Sequence, residues 1–181
     1  MILGEKELRK LYPDLDDNQY QPDSIDLKID NVEFFKKTDN VGLYGGNKHF
    51  PKMEELKNDN GFFTLKPHTS YIFTIQNKMK IPKDICQLYF SRSSLMRMGL
   101  ICTTCIGDTS FFGYLKFLFF NSTDNDIIIE KGERVGTAAN FEVRGSGIYN
   151  GDFNERLLKS QQTVLKVLQP KYVSLVLSNV V

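Results

Sequence analysis

A chain of 181 residues with 41% aliphatic and aromatic content can bury one sizeable core. Its 23 Lys and Arg stand against 22 Asp and Glu, a balance that excludes a generic nucleic-acid coat but allows a local anion site. Three cysteines, an odd number, speak against a disulfide framework, and MILGEKELRKLYP lacks the blocks of a secretory signal, so a reducing cytoplasm is the expected setting.

In chain order, EKELRKLY places Leu8, Leu11 and Tyr12 at helical spacing and Pro13 ends the run, which predicts one short helix. SIDLKID (24–30) then alternates, with Ile25, Leu27 and Ile29 on one face, as a half-buried strand does. Residues 36–60 are polar and loop-rich, with Gly45–Gly46 and few apolar anchors. Further strand-like runs are VEFF (32–35), FFTLK (62–66), SYIFTIQ (70–76), ICQLYF (85–90), YLKFLFF (114–120), DIIIE (126–130), RVGTAANFEV (134–143), TVLKVL (163–168) and YVSLVLSNV (172–180). Turn signals such as NDNG, IPKD and NSTDND separate them. Many short strands at this spacing predict an all-β sandwich, barrel or jelly roll, in one domain over 1–181. The most apolar runs are strand-sized, so no membrane span is expected.

The chemistry concentrates after ICQLYF. SRSSLMRM predicts a single helical turn that Ser91 or Ser93 could cap. Arg92, Ser93, Ser94 and Arg97 supply guanidinium and hydroxyl donors suited to phosphate, and Ser93 and Arg97 share a face if the turn is helical. A capped surface turn with two solvated arginines is the alternative. CTTC (102–105) has half the ligands of a zinc site, with Cys86, His49 and His68 as the remaining candidates. The neighbourhood is unlike a redox CxxC, and small side chains packed in a tight hairpin are the simpler expectation; His49 and His68 read as surface residues.

Four motifs in order resemble the dCTP deaminase/dUTPase family. They are QPDSIDLKI (21–29), SRSSLMRMGL (91–100), GDTSFFGYLKFLFFN (107–121), in which Asp108 precedes Gly113 by five, and KGERVGTAANFEV (131–143). The resemblance covers roughly the first 145 residues, and four ordered motifs are far more specific than one. It implies a β-clip or distorted jelly roll assembled as a homotrimer, with nucleotide sites between subunits. It further implies Arg92, Ser93, Ser94 and Arg97 on the triphosphate and Mg²⁺ bound through that triphosphate, with no protein metal cage. Asp108 would be the catalytic residue that positions water, and Asp26 matches the first-motif aspartate. Thr104 and Ile106 would face base or sugar. RGSGIYNG (144–151) resembles a closing arm, which would put Arg144 on phosphate and Tyr149 on the base; a plain Gly-rich turn is the other reading. Residues 144–181 would form a carboxy-terminal arm or extension.

Departures from the family pattern choose among its chemistries. The deaminase branch carries a glutamate ten residues beyond the third-motif aspartate, where this chain has Leu118. A leucine cannot shuttle protons, so the resemblance points to a deoxynucleoside triphosphate phosphohydrolase, dUTP to dUMP plus pyrophosphate. Thr137 replaces the usual fourth-motif Gln, which keeps open a non-catalytic nucleotide-binding or regulatory protein. A dCTP deaminase with a non-standard acid/base is the third reading. Neither nucleic acid nor membrane is an expected partner.

Overall fold

The expected amino-terminal helix is α1, Glu5–Leu11, which buries Leu8 fully and hands Tyr12 to the core. A 3₁₀ turn, Asp17–Gln19, comes next, closed by a capping box between Asp16 and Gln19. The strands are β1 (Tyr20–Gln21), β2 (Ser24–Phe35), β3 (Gly42–Tyr44), β4 (Asn47–His49), β5 (Met53–Glu55), β6 (Phe62–Leu65), β7 (Ser70–Lys80) and β8 (Ile85–Ser91). After a second helix, α2 (Ser93–Arg97), come β9 (Leu100–Cys102), β10 (Cys105–Gly107), β11 (Phe112–Asn121), β12 (Ile127–Glu130) and β13 (Arg134–Glu142). This computed structural model describes residues 1–147 and 149; the chain divides into two units, Met1–Ile148 and Tyr149–Val181. The strands expected at 163–168 and 172–180 lie outside the described residues.

The first unit is all-β, as the strand spacing predicts. Its main sheet runs β10-β8-β13-β2-β7-β11-β9, with β1 and β5 also paired to β2. β2 joins the two halves. Its amino-terminal residues pair with β13, and from Ile29 on it pairs with β7, the ladder shifting register between Ile29 and Asn31. Such an irregularity bends a strand out of one layer into another, and here it turns SIDLKID and VEFF into one strand rather than two. The halves face each other. Tyr89 of β8 meets Phe117 of β11 edge-on at 5.1 Å across the halves, and within one half Phe73 of β7 stacks on Phe119 of the neighbouring β11 at 4.2 Å. Ile25, Leu27, Val32, Phe73, Ile75 and Phe119, none measurably exposed, lie in one apolar cluster.

Residues 36–60 are loop-rich with three short strands, β3 pairing with β4 and β5 adding to β2. Two expectations are corrected. CTTC is not a tight hairpin. β9 pairs with β11 and β10 with β8, so Thr103–Thr104 carry the chain from one half of the sheet to the other. Neither Ser91 nor Ser93 caps α2; Arg92 is the N-cap, without a side-chain cap bond, and Ser91 Oγ donates to Arg92 O at 3.3 Å. Among the described residues, no helix is long and apolar enough to cross a membrane.

Candidate active site

Three neighbouring strands assemble the first cluster. Asp26 of β2 is in register with Thr137 of β13, and Gly136 of β13 is in register with Ser91, at the end of β8. Arg92 is the next residue. The Asp26 carboxylate is 4% exposed; its Oδ2 accepts from Arg134 Nη1 at 3.2 Å and lies 3.5 Å from Arg92 Nη1. Arg134 Nη1 also donates to Asn18 O at 2.8 Å, and Gln19 Nε2 donates to Asp26 O at 2.8 Å, tying the 3₁₀ turn to the same spot. Burial raises the Asp26 pKa above the ordinary carboxylate value, against the pull of Arg92, Arg134 and the Thr137 hydroxyl. Both arginines remain partly exposed, 26% and 30%, so one buried carboxylate orients two guanidiniums that still reach solvent. The sequence marks Arg92 but not Arg134; the signal is the Arg of KGERVG, whose partner becomes visible only through the β2–β13 pairing.

On α2, Ser93 and Arg97 are exposed and share a face, while Ser94 is half-buried. Arg97 makes no ion pair among the described residues. Thr137, which stands where the family has Gln, donates its hydroxyl to Ile25 O at 3.3 Å.

The second cluster surrounds Asp108. It is exposed, in the loop between β10 and β11, and its carboxylate makes no hydrogen bond or ion pair among the described residues. The loop backbone is well held. Phe111 N donates to Asp108 O at 3.2 Å, Ser110 N to Pro82 O at 3.3 Å, and Thr109 Oγ1 to Gly147 O at 2.9 Å. Ser146 Oγ bonds Lys83 O, so the segment after β13 runs beside this loop and carries Arg144, which is exposed. Thr104 and Ile106 are exposed on the approach to Asp108. Tyr149 is half-buried in the second unit.

One subunit does not bring these clusters together. Gly107 is in register with Gln87, and Arg92 lies five residues further on, just past the end of β8. At about 3.3 Å per residue the two sites are roughly 16 Å apart, and β10 runs away from α2.

The cysteines do not form a poised site. Burial and the neighbouring Cys105 push the Cys102 thiol up to about 12, and burial raises Cys105 as well, so both stay protonated near neutrality. Cys102 Sγ donates to Thr103 O at 3.3 Å. Among the described residues no group of three or more His, Cys, Asp or Glu is arranged to hold a metal. His49 stacks on Tyr44 at 3.9 Å, and His68 Nε2 meets Asp124 Oδ1 at 2.8 Å.

Comparison with known proteins adds findings of three kinds. The model of a family described as dCTP deaminase-like matches residues 2–138. A probable deoxyuridine 5'-triphosphate nucleotidohydrolase of Methanopyrus kandleri is 39% identical over 153 residues, covering 84% of this chain and 99% of the relative. A protein of the same description from Methanothermobacter thermautotrophicus is 34% identical over 155 residues, covering 86% and 100%. Among solved structures, 2'-deoxycytidine 5'-triphosphate deaminase from Agrobacterium tumefaciens matches with a TM-score of 0.60 at 19% identity. That match covers 77% of this chain and 47% of the other, so this chain spans about half of that structure, and the likeness is one of fold.

Proposed function

The chain belongs to the dCTP deaminase-like family, and from that membership we propose that it hydrolyses dUTP to dUMP and pyrophosphate. The observation that carries hydrolysis over deamination is Leu118. It stands half-buried on β11 in register with Ile72, at the place of the deaminase glutamate. The nearby carboxylate on that sheet, Glu33, is taken by Lys116 Nζ at 2.5 Å. The names of the two archaeal relatives support the same choice.

In this reading Arg92, Ser93, Ser94 and Arg97 hold the triphosphate, with Arg134 and Asp26 fixing the direction of Arg92. Charge neutralisation and positioning are most of what phosphoryl transfer asks of a protein. Asp108 orients the attacking water, its exposed carboxylate being open to accept a hydrogen bond from it. Thr104 and Ile106 face base and sugar, and Arg144 adds a cation. The substrate is the Mg²⁺ complex of dUTP, the ion riding on phosphate oxygens; Asp26 is already engaged by two arginines. Because Asp108 and Arg92 are roughly 16 Å apart along β8 in one subunit, a working site takes Asp108 from one copy and α2 from the next. A homotrimer in the cytoplasm fits that requirement.

One observation favours a second reading, a binder that does not turn over. The Thr137 hydroxyl lies between Ile25 O, 3.3 Å away, and the Asp26 carboxylate, so it offers a water less than a free amide would. Incubating the protein with Mg²⁺ and dUTP, dCTP or dTTP, then separating products by anion exchange, decides between them. Formation of dUMP and pyrophosphate, abolished by Asp108→Asn, is the expected result. Intact nucleotides mean a binder, and conversion of dCTP to a uracil nucleotide means the inference from Leu118 is wrong.

A further inference from the structure

A closed polar network lies directly beneath the loop that carries Asp108. Tyr89 OH donates to Gln87 Oε1 at 2.5 Å, and Gln87 Nε2 donates to both Tyr12 OH at 3.0 Å and Asn140 Oδ1 at 2.8 Å. Tyr12 OH closes the ring by donating to Asn140 Oδ1 at 2.9 Å, and Asn140 Nδ2 donates to Ala138 O at 3.2 Å. Gln87 and Asn140 are fully buried, Tyr89 and Tyr12 nearly so. Burial raises the pKa of both phenols, so the network is neutral throughout the physiological range. Each donor finds an acceptor, which makes such a network rigid rather than costly. It also joins the end of α1, β8 and β13 into one unit.

The network ends against Gly107. A Cβ at that position would collide with the Tyr89 hydroxyl and come within 2.8 Å of its Cζ and 2.9 Å of Ile81 Cδ1. The backbone of Gly107 therefore rests on the tip of the Tyr89 ring, one residue before Asp108. No group holds the Asp108 carboxylate itself among the described residues, so the backbone under it sets the direction of its Cα–Cβ bond and the arc its carboxylate can reach. Sheet register acts in the same direction, since Cys105 faces Tyr89 and Gly107 faces Gln87.

We infer that Tyr89 is a positioning residue for Asp108: its hydroxyl, fixed by Gln87, is the floor on which Gly107 rests, and Gly107 is the residue that this floor admits. The inference rests on the proposed role of Asp108 in dUTP hydrolysis. Misplacing a reacting group by about 1 Å can cost up to a hundredfold in rate, so the network acts on turnover more than on binding.

The test uses the full chain with five forms: wild type, Asp108→Asn, Tyr89→Phe, Gly107→Ala and the Tyr89→Phe/Gly107→Ala double variant. Steady-state kcat and KM for Mg²⁺–dUTP and the affinity for non-hydrolysable α,β-imido-dUTP are measured below the lowest melting temperature of the set. Tyr89→Phe is expected to lower kcat about tenfold, with KM and analogue affinity within about twofold. Gly107→Ala is expected to lower kcat further, and adding Tyr89→Phe, which removes one of the three close contacts and acts on the same floor, to cost less than the product of the two single losses. Independent, multiplying losses, or a fall in melting temperature with kcat unchanged, overturn the inference while leaving hydrolysis intact. An Asp108→Asn protein at wild-type rate overturns the role of Asp108 and this inference with it. A wild type that leaves dUTP intact overturns the proposed function as well.

Discussion

Asp26 is not held in place by favourable electrostatics alone. Burial raises its pKa even though Arg92 and Arg134 pull the other way, so desolvation outweighs the two ion pairs. A carboxyl whose folded pKa is raised contributes stability that is present at low pH and lost as pH rises through that pKa. At neutral pH the ionised Asp26 therefore serves to aim two guanidiniums rather than to hold the fold together. Asp26→Asn is expected to keep or slightly raise unfolding stability at pH 7. It is not expected to lose the about 3–5 kcal/mol typical of breaking a fully buried pair, because both arginines keep a face in water. Urea melts between about pH 4 and pH 7 check the sign: wild type is expected to lose ground to the variant as pH rises through the carboxylate range. KM for dUTP is expected to rise about tenfold as Arg92 loses its anchor; an unchanged KM would sink the orienting role. Arg92 is legible in the sequence because its motif is local. Arg134 is not, because its pairing with Asp26 spans 108 residues and depends on strand register.

At the scale of elements, α2 is five residues long and owes its angle to the turn at Gly99. Gly99 has φ +82°, a conformation costly for any residue with a Cβ, and a Cβ there would run into the Thr123 side chain. Its carbonyl accepts from Ser122 N at 3.0 Å and Ser122 Oγ at 2.7 Å, which locks the exit of α2 onto the end of β11. Gly99→Ala is expected to cost about 1–3 kcal/mol in a urea melt. It is also expected to raise KM more than it lowers kcat, since Ser93 and Arg97 move with α2. A variant as stable as wild type would show that the turn can relax. Alternation of period two makes most strands legible, as in YLKFLFF, where Leu115, Phe117 and Phe119 point inward. Changes of partner are beyond what such a pattern can carry. The bend that fuses SIDLKID with VEFF depends on backbone irregularity, and the crossing at Thr103–Thr104 depends on which sheet edge is vacant. Both are set by tertiary pairing rather than by local composition.

For the whole molecule, the separation of Asp108 from α2 along β8 makes a quantitative demand. If each active site takes Asp108 from one subunit and Ser93 and Arg97 from its neighbour, two inactive proteins can repair each other. Asp108→Asn supplies an intact α2, and Ser93→Ala/Arg97→Ala supplies an intact Asp108; all three positions are exposed, so neither protein is expected to misfold. Co-refolded in equal amounts, about three quarters of random trimers contain both kinds of subunit. Each mixed trimer closes its ring with one junction where the intact Asp108 meets the intact α2, so about a quarter of wild-type activity returns. A dimer with the same shared site would return the same quarter, so sedimentation of the mixture, not the recovered fraction, tells trimer from dimer. A site built within one subunit gives no recovery at any ratio. Recovery near a quarter, with each parent inactive alone, ties the catalytic reading of Asp108 and the phosphate-binding reading of α2 to a single intersubunit site. Absence of recovery in demonstrably mixed trimers separates them, and would leave Asp108 without the partner that the sheet places out of its reach.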